Sequence, residues 1–101
     1  MELGLRGKRA FISGSSQGIG HAVASALAAE GVDVVINGRD EGRVDAAVAA
    51  VALAHPGAAV SGIAADFTDP DQVAALTEKL GQVDILVNNV GLFGLADFAD
   101  F

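Results

Sequence analysis

Ala10-Phe11-Ile12-Ser13-Gly14-Ser15-Ser16-Gln17-Gly18-Ile19-Gly20 is the stretch that decides how this chain folds. The apolar run Ala10 to Ile12 reads as a short buried strand. Glycines follow at positions 14, 18 and 20. His21 to Glu30 is alanine-rich and helix-forming, and Gly31 ends it. The order is therefore strand, glycine-rich turn, helix. Such a turn aims unpaired backbone N–H groups at the start of a helix, where the macrodipole favours anions. Glycine allows a tight turn and lets a phosphate approach the backbone closely. The spacing Gly-x-x-x-Gly-x-Gly differs from Gly-x-Gly-x-x-Gly and lacks the Lys-Ser/Thr ending of an ATP-type loop. On these residues alone two readings stand: a phosphate cradle, and a turn whose glycines serve packing only.

Outward from the loop, strands and helices alternate. The first strand covers roughly 8–13 and the first helix about 18–30. Asp33-Val34-Val35-Ile36-Asn37 carries the β-branched run of a buried parallel strand. Asp40 is a good N-cap for a second helix over 41–54, with Val44, Val48 and Val51 among alanines, stopped by His55-Pro56-Gly57. A third strand lies within 58–65. Asp69-Pro70 opens a third helix, a cap followed by proline at the first helical position. Val73, Leu76 and Leu80 give it an apolar stripe, and Gly81 ends it. Val83 to Val87 is a fourth strand, running into Asn88-Asn89-Val90-Gly91. The βαβαβαβ pattern with short connections predicts an α/β fold with a parallel sheet.

Composition narrows the function classes. With 101 residues the chain forms one domain at most. It is 51% hydrophobic and 19% charged, enough apolar content for a core and too little charge for disorder. A formal charge of −7 disfavours nucleic acid and anionic membranes as partners, so an anionic ligand needs local geometry to hold it. Cysteine is absent, which removes disulfides, thiolate metal sites and cysteine nucleophiles. No run is long and apolar enough for a signal peptide or a membrane span, and a cytoplasmic location is the default expectation. No histidine and carboxylate group has metal-ligand spacing. His21 reads as an exposed helix residue or a phosphate contact, and His55 as a helix-end residue. Ser15 and Ser16 are candidate phosphate donors without a partnered base.

The loop, the third strand's exit and Asn88-Asn89-Val90-Gly91 together resemble the short-chain dehydrogenase/reductase family. Its cofactor loop is Thr-Gly-x-x-x-Gly-Ile-Gly, with Ser13 here in place of threonine. Its Asn-Asn-Ala-Gly matches Asn88 to Gly91, with Val90 in place of alanine. The resemblance spans nearly the whole chain. It implies a Rossmann-type doubly wound sheet of four strands in the order 3-2-1-4 with three helices, a nucleotide-binding half-domain over 1–91, and a tail over 92–101 leading toward a further helix. It implies a dinucleotide held by Gly14, Ser15, Ser16, Gly18, Ile19 and Gly20, in the crevice where strand order reverses. At the end of the second strand, Asn37-Gly38-Arg39 offers no carboxylate to a ribose 2′-hydroxyl, and the resemblance makes Asn37 and Arg39 cofactor contacts. Arg39 suits a 2′-phosphate through charge-assisted bonds of about 1.5–3 kcal/mol each. NADP is therefore expected over NAD, the alternative for Arg39 being a solvated turn. By resemblance Asp66 accepts from the adenine amino group and the Phe67 N–H meets the ring; the alternative for Asp66 is a local turn cap. Asn88 would tie the central strands, while Val90 and Gly91 line the cofactor ribose.

The family's hydride chemistry uses a serine and a Tyr-x-x-x-Lys pair that lie beyond the fourth strand. This sequence has no tyrosine, so no catalytic residue is carried over. The reading is an oxidoreductase seen as its amino-terminal cofactor-binding half. The competing readings are a non-catalytic nucleotide-binding module and an interaction protein that uses an open sheet edge. The fourth strand would leave such an edge, so the chain alone is expected to be marginally stable, or to pair with a second copy or a partner. The expected outcome of mixing the purified 101-residue chain with NADPH and simple carbonyl compounds is no turnover. Any NADPH oxidation coupled to carbonyl reduction would refute this.

Overall fold

The elements follow the alternation of β-branched runs with alanine-rich stretches. In the computed structural model, which describes residues 4–89, they are β1 (Arg9–Ile12), α1 (Gly18–Ala29), β2 (Asp33–Gly38), α2 (Glu41–Ala54), β3 (Val60–Ala64), α3 (Pro70–Leu80) and β4 (Ile85–Val87). The sheet is parallel throughout, in the order β3-β2-β1-β4. This is the Rossmann-type doubly wound arrangement. Val90, Gly91 and the 92–101 tail lie outside the described residues.

Helix limits have local causes. Asp40 Oδ1 accepts from the Arg43 N–H at 3.2 Å and starts α2. Asp69 Oδ1 accepts from the Asp71 N–H at 2.9 Å, with Pro70 as the first residue of α3. Losing such a cap costs about 0.5–2 kcal/mol. α1 closes with Val32 N–H on the Leu27 carbonyl and Gly31 N–H on that of Ala28, a Schellman closure. A second tie joins α1 to the end of α2, where Ser25 Oγ lies 2.9 Å from His55 Nε2.

The strand period of two sends alternate residues to opposite faces. Ala10, Ile12, Val34 and Ile36 meet Ala24 and Ala28 of α1 and Val44, Ala47 and Val51 of α2. Phe11 and Val35 face the other way, onto Ala65 and Leu76. Full burial of a valine or isoleucine is worth about 1.5–3 kcal/mol, so the two central strands carry most of the hydrophobic stabilisation. Of the stripe expected on α3, Leu76 is buried in this smaller cluster, Leu80 is half-buried against it, and Val73 is half-buried. Among the described residues β4 pairs with β1 alone, and each of its residues is half-buried.

Gly62 sets how close α2 comes to β3. A Cβ built there would lie 2.5 Å from Val44 Cγ1 and 2.9 Å from Val48 Cγ2. Gly62→Ala should therefore force α2 outward and destabilise the fold by about 1–3 kcal/mol. The check is a urea melt followed by circular dichroism. The midpoint should fall with little change in slope, and an unchanged midpoint would contradict the tight contact.

Candidate functional site

The glycine loop leaves β1 and is fixed by what it touches. Gly14 and Gly18 have φ of +60° and +66°, a region that side chains disfavour, and this bends the chain into the loop. Gly20 is required for space instead. A Cβ there would lie 2.6 Å from both the Gly14 carbonyl oxygen and Asn89 Nδ2. Around Gly18 there is open space, and Ile19 is 77% exposed beside it. Gln17 precedes α1 without a side-chain cap, and the first turn of that helix holds no acidic residue. Its N–H groups are thus available to an anion.

Sequence reasoning sends both serine hydroxyls toward a phosphate; the structure separates them. Ser15 is fully buried, and its hydroxyl donates to the Ile12 carbonyl at 2.6 Å and accepts from the Asn37 N–H at 2.9 Å. It pins the loop to β2 and points away from the surface. Ser16 is half-buried and lies against Gly38. Asn37 is likewise inside, 1% exposed. Its Oδ1 accepts from the Gly14 N–H and its Nδ2 donates to the Ile63 carbonyl, both at 3.0 Å. A residue singled out as a ligand contact is in this structure the brace between loop, β2 and β3.

The same edge of the sheet gathers the other candidates. Arg39 is exposed at the end of β2. Asp66 follows β3, and its Oδ1 accepts from the Thr68 N–H at 2.9 Å and the Thr68 hydroxyl at 2.7 Å. The Asp66 N–H donates to Gln72 Oε1 at 2.9 Å. Phe67 packs its ring against the Phe11, Val35, Ala65 and Leu76 cluster on the α3 side of the sheet. Asn88 Oδ1 lies 3.3 Å from Ser13 Oγ. Val90 and Gly91 are outside the described residues. Asn89 reaches further into the loop: its N–H donates to Ser13 Oγ at 2.9 Å and its Nδ2 to the Gly14 carbonyl at 3.1 Å. The Asn-Asn dipeptide marks a turn in sequence, but which asparagine reaches past Ser13 to Gly14 depends on the register of β4 against β1.

Two further residues lie beside the site, His21, read from the sequence as an exposed helix residue or a phosphate contact, and Arg43, which the sequence did not single out. His21 is half-buried rather than exposed, and it lines a cleft with Ser16, Gln17 and Arg43. Their proximity arises only because α1 and α2 lie side by side. Among the described residues no group of histidines and carboxylates is placed to hold a metal ion, and no helix is long and apolar enough to cross a membrane.

A parallel 3-2-1-4 sheet with a glycine loop at its strand-order reversal defines a dinucleotide-type fold. A sequence profile of the short chain dehydrogenase family matches residues 8–101, and the chain belongs to that family. It is 41% identical over 100 residues to the uncharacterized oxidoreductase YvaG of Bacillus subtilis, covering 99% of this chain and 38% of that protein. It is 40% identical over 101 residues to D-beta-hydroxybutyrate dehydrogenase of Cupriavidus necator, covering 96% and 38%. Among solved structures it superposes on L-sorbose reductase from Gluconobacter frateurii, crystallised with NADPH and L-sorbose. The TM-score there is 0.80 at 38% identity, covering 91% of this chain and 36% of that one. The chain thus spans well under half the length of the relatives it matches.

Asp66 yields a pH-dependent consequence. The Thr68 N–H, then the Thr68 hydroxyl, and finally the charge of Arg39 hold its carboxyl below the ordinary value of 3.8, against a raising effect of burial. Because the folded value is lowered, the ionised form stabilises the fold above the ordinary value. That contribution disappears as pH falls through the folded value. The Asp66 side-chain carbon signal in NMR should therefore titrate below 3.8. In Thr68→Val, which keeps the N–H and loses the hydroxyl, the midpoint should move back upward; an unmoved midpoint would contradict the assignment.

Proposed function

We propose that this chain is the cofactor-binding part, residues 1–91, of an NADP-dependent oxidoreductase that acts in the cytoplasm. The observation that supports the reading best is the end of β2. Asn37 is buried and spent on bracing the loop, Gly38 packs against Ser16, and Arg39 is the first exposed side chain. The edge that would carry a carboxylate in an NAD-specific site carries a guanidinium instead. The residues fit the dinucleotide. The glycine loop has open space at Gly18 and an exposed apolar surface at Ile19 for the cofactor to cover.

When bound, the nicotinamide supplies hydride donation or acceptance. This chain's part is to hold and orient. The loop N–H groups from Gly14 to Gly20 take the pyrophosphate. Arg39 takes the ribose 2′-phosphate. Asp66 and the backbone at Phe67 take adenine, with the Thr68 contact fixing the Asp66 carboxylate in one orientation. Asn88, Val90 and Gly91 are assigned to the cofactor ribose on the strength of the resemblance. Two of the relatives named above, the D-beta-hydroxybutyrate dehydrogenase and the L-sorbose reductase, are named for a hydroxy acid and a sugar, and we extend oxidation or reduction of such an alcohol or carbonyl to the whole protein. The half-buried β4 supports a further proposal, that additional chain or a second copy pairs along it.

The test is fluorescence titration of the purified protein with NADPH and NADH. NADPH should bind more tightly, and Arg39→Ala should weaken NADPH about tenfold or more while leaving NADH nearly unchanged. An Arg39→Ala protein that keeps its full preference for NADPH would remove Arg39 from this role.

A further inference from the structure

The two helical faces of the sheet differ in charge. On one side α3 turns Asp71, Gln72, Glu78 and Lys79 to solvent. On the other, from Ala22 to Ala29 in α1 and from Ala46 to Ala54 in α2, no side chain is charged and Ser25 alone is polar. Ala24, Ala28, Ala47 and Val51 are spent on the sheet. Ala22, Ala26, Ala46, Ala49, Ala50 and Leu53 stay exposed. A helix that is apolar all round belongs in an interior, and a contiguous exposed apolar patch marks a contact surface. Leu53 is 84% exposed, more than any other large apolar side chain among the described residues. It lies on the last turn of α2, at the opposite edge of the sheet from the glycine loop. One to two turns back, Ala46, Ala47 and Ala50 form the α2 wall of a cleft of about 380 Å³, whose α1 wall holds Gln17 and His21.

We propose that this face joins two copies of the chain, as an isologous dimer in which α2 packs antiparallel on the α2 of a second copy about an axis at Ala50. The occupant follows from charge. With 13 acidic and 6 basic residues, two copies repel wherever their acidic surfaces oppose one another. At an isologous contact a patch meets itself, so a patch without charge is the one two acidic copies can share.

The register follows from where the bulk lies. About an axis at Ala50, Leu53 of each copy stands opposite Ala47 of the other and enters the cleft there. Ala46 then stands opposite Ala54, and such small side chains let the helices approach to about 8 Å. The rim is compatible as well. The first turns of α2, with Glu41 and Asp45, come beside residues 55–59 of the second copy, which hold no acid and begin with His55. A standard interface takes about a tenth of a small protein's surface, here about 600 Å² of 6070 Å² per copy. α2 alone is too short for that, so Ala22 and Ala26 of α1 complete the contact. An interface of this size sits at the lower limit of stable ones, and the dimer is expected in the micromolar range. The contact does not use β4 and does not depend on which cofactor is bound.

Sedimentation equilibrium of the purified 101-residue chain across the micromolar range tests this. Wild type should pass from monomer to dimer. Leu53→Glu, which places a carboxylate in the contact from an exposed position, should raise the dimer dissociation constant about tenfold or more with unchanged circular dichroism. A second measurement does not depend on how that variant folds. The chain has no cysteine, so Ala50→Cys carries a single thiol that the axis brings next to its copy, within the Cα separation of about 4.4–6.8 Å that a disulfide spans. Under oxidised glutathione Ala50→Cys should form a covalent dimer, and Glu78→Cys on α3 should not. A wild-type dimer that Leu53→Glu leaves equally tight, with Ala50→Cys uncrosslinked, would place the contact elsewhere, as at the β4 edge, and overturn the proposal. Wild type that stays monomeric, with Ala50→Cys uncrosslinked, would also overturn it and leave the face to a different chain. Equal crosslinking of Ala50→Cys and Glu78→Cys would show random collision and count against it.

Discussion

Asn37 holds the glycine loop in place, and the rest of the candidate site takes its position from that. It is buried at the end of β2, where its backbone exchanges hydrogen bonds with Ser15 and its side chain reaches Gly14 on one side and Ile63 on the other. A hydrogen bond of this kind contributes about 0.5–1.5 kcal/mol net, but a buried group left unpaired costs about 1–3 kcal/mol. The loop therefore cannot shift without leaving several buried groups unpaired. This anchors Gly14, and through it the start of α1.

The second constraint is close approach. Gly20, Gly38 and Gly62 each sit where a Cβ would meet a neighbour at 2.7 Å or less. Gly20 admits Asn89 over the loop, Gly38 admits Ser16 against β2, and Gly62 admits α2 against β3. On the other flank Ser13 joins β1 to the end of β4 through the Val87 carbonyl and the Asn89 N–H. The loop is thus held from both β2 and β4, the two strands that flank β1 in the sheet. The loop's backbone is therefore fixed in one arrangement by the fold itself.

Much of this was legible in the residues before any fold was known. Asp40 and Asp69-Pro70 marked the starts of α2 and α3, and the β-branched run from Val34 marked β2. The glycine spacing marked the loop. The role of Asn37 was not legible, because an asparagine before a glycine reads as a turn residue. Only the presence of Gly14 and Ile63 within hydrogen-bonding distance makes it a buried brace. Ser15 was opaque for the same reason. The juxtaposition of His21 and Arg43 carries no sequence signal, since they lie on different helices and line one groove only once α1 and α2 pack side by side.

The division has a physical basis. Helix caps, strand alternation and glycine turns act over a few neighbours, so the amino-acid order alone was enough to determine the elements, their sequence and the parallel character of the sheet. The meeting of Gly14, Asn37, Asp66 and Asn89 at one edge depends on contacts between residues more than twenty positions apart. Those contacts exist only once β2 and β4 have docked on either side of β1. Tertiary structure alone decided which polar groups stay at the surface of the candidate site and which are consumed in holding the loop, because each buried donor must find its acceptor inside the fold.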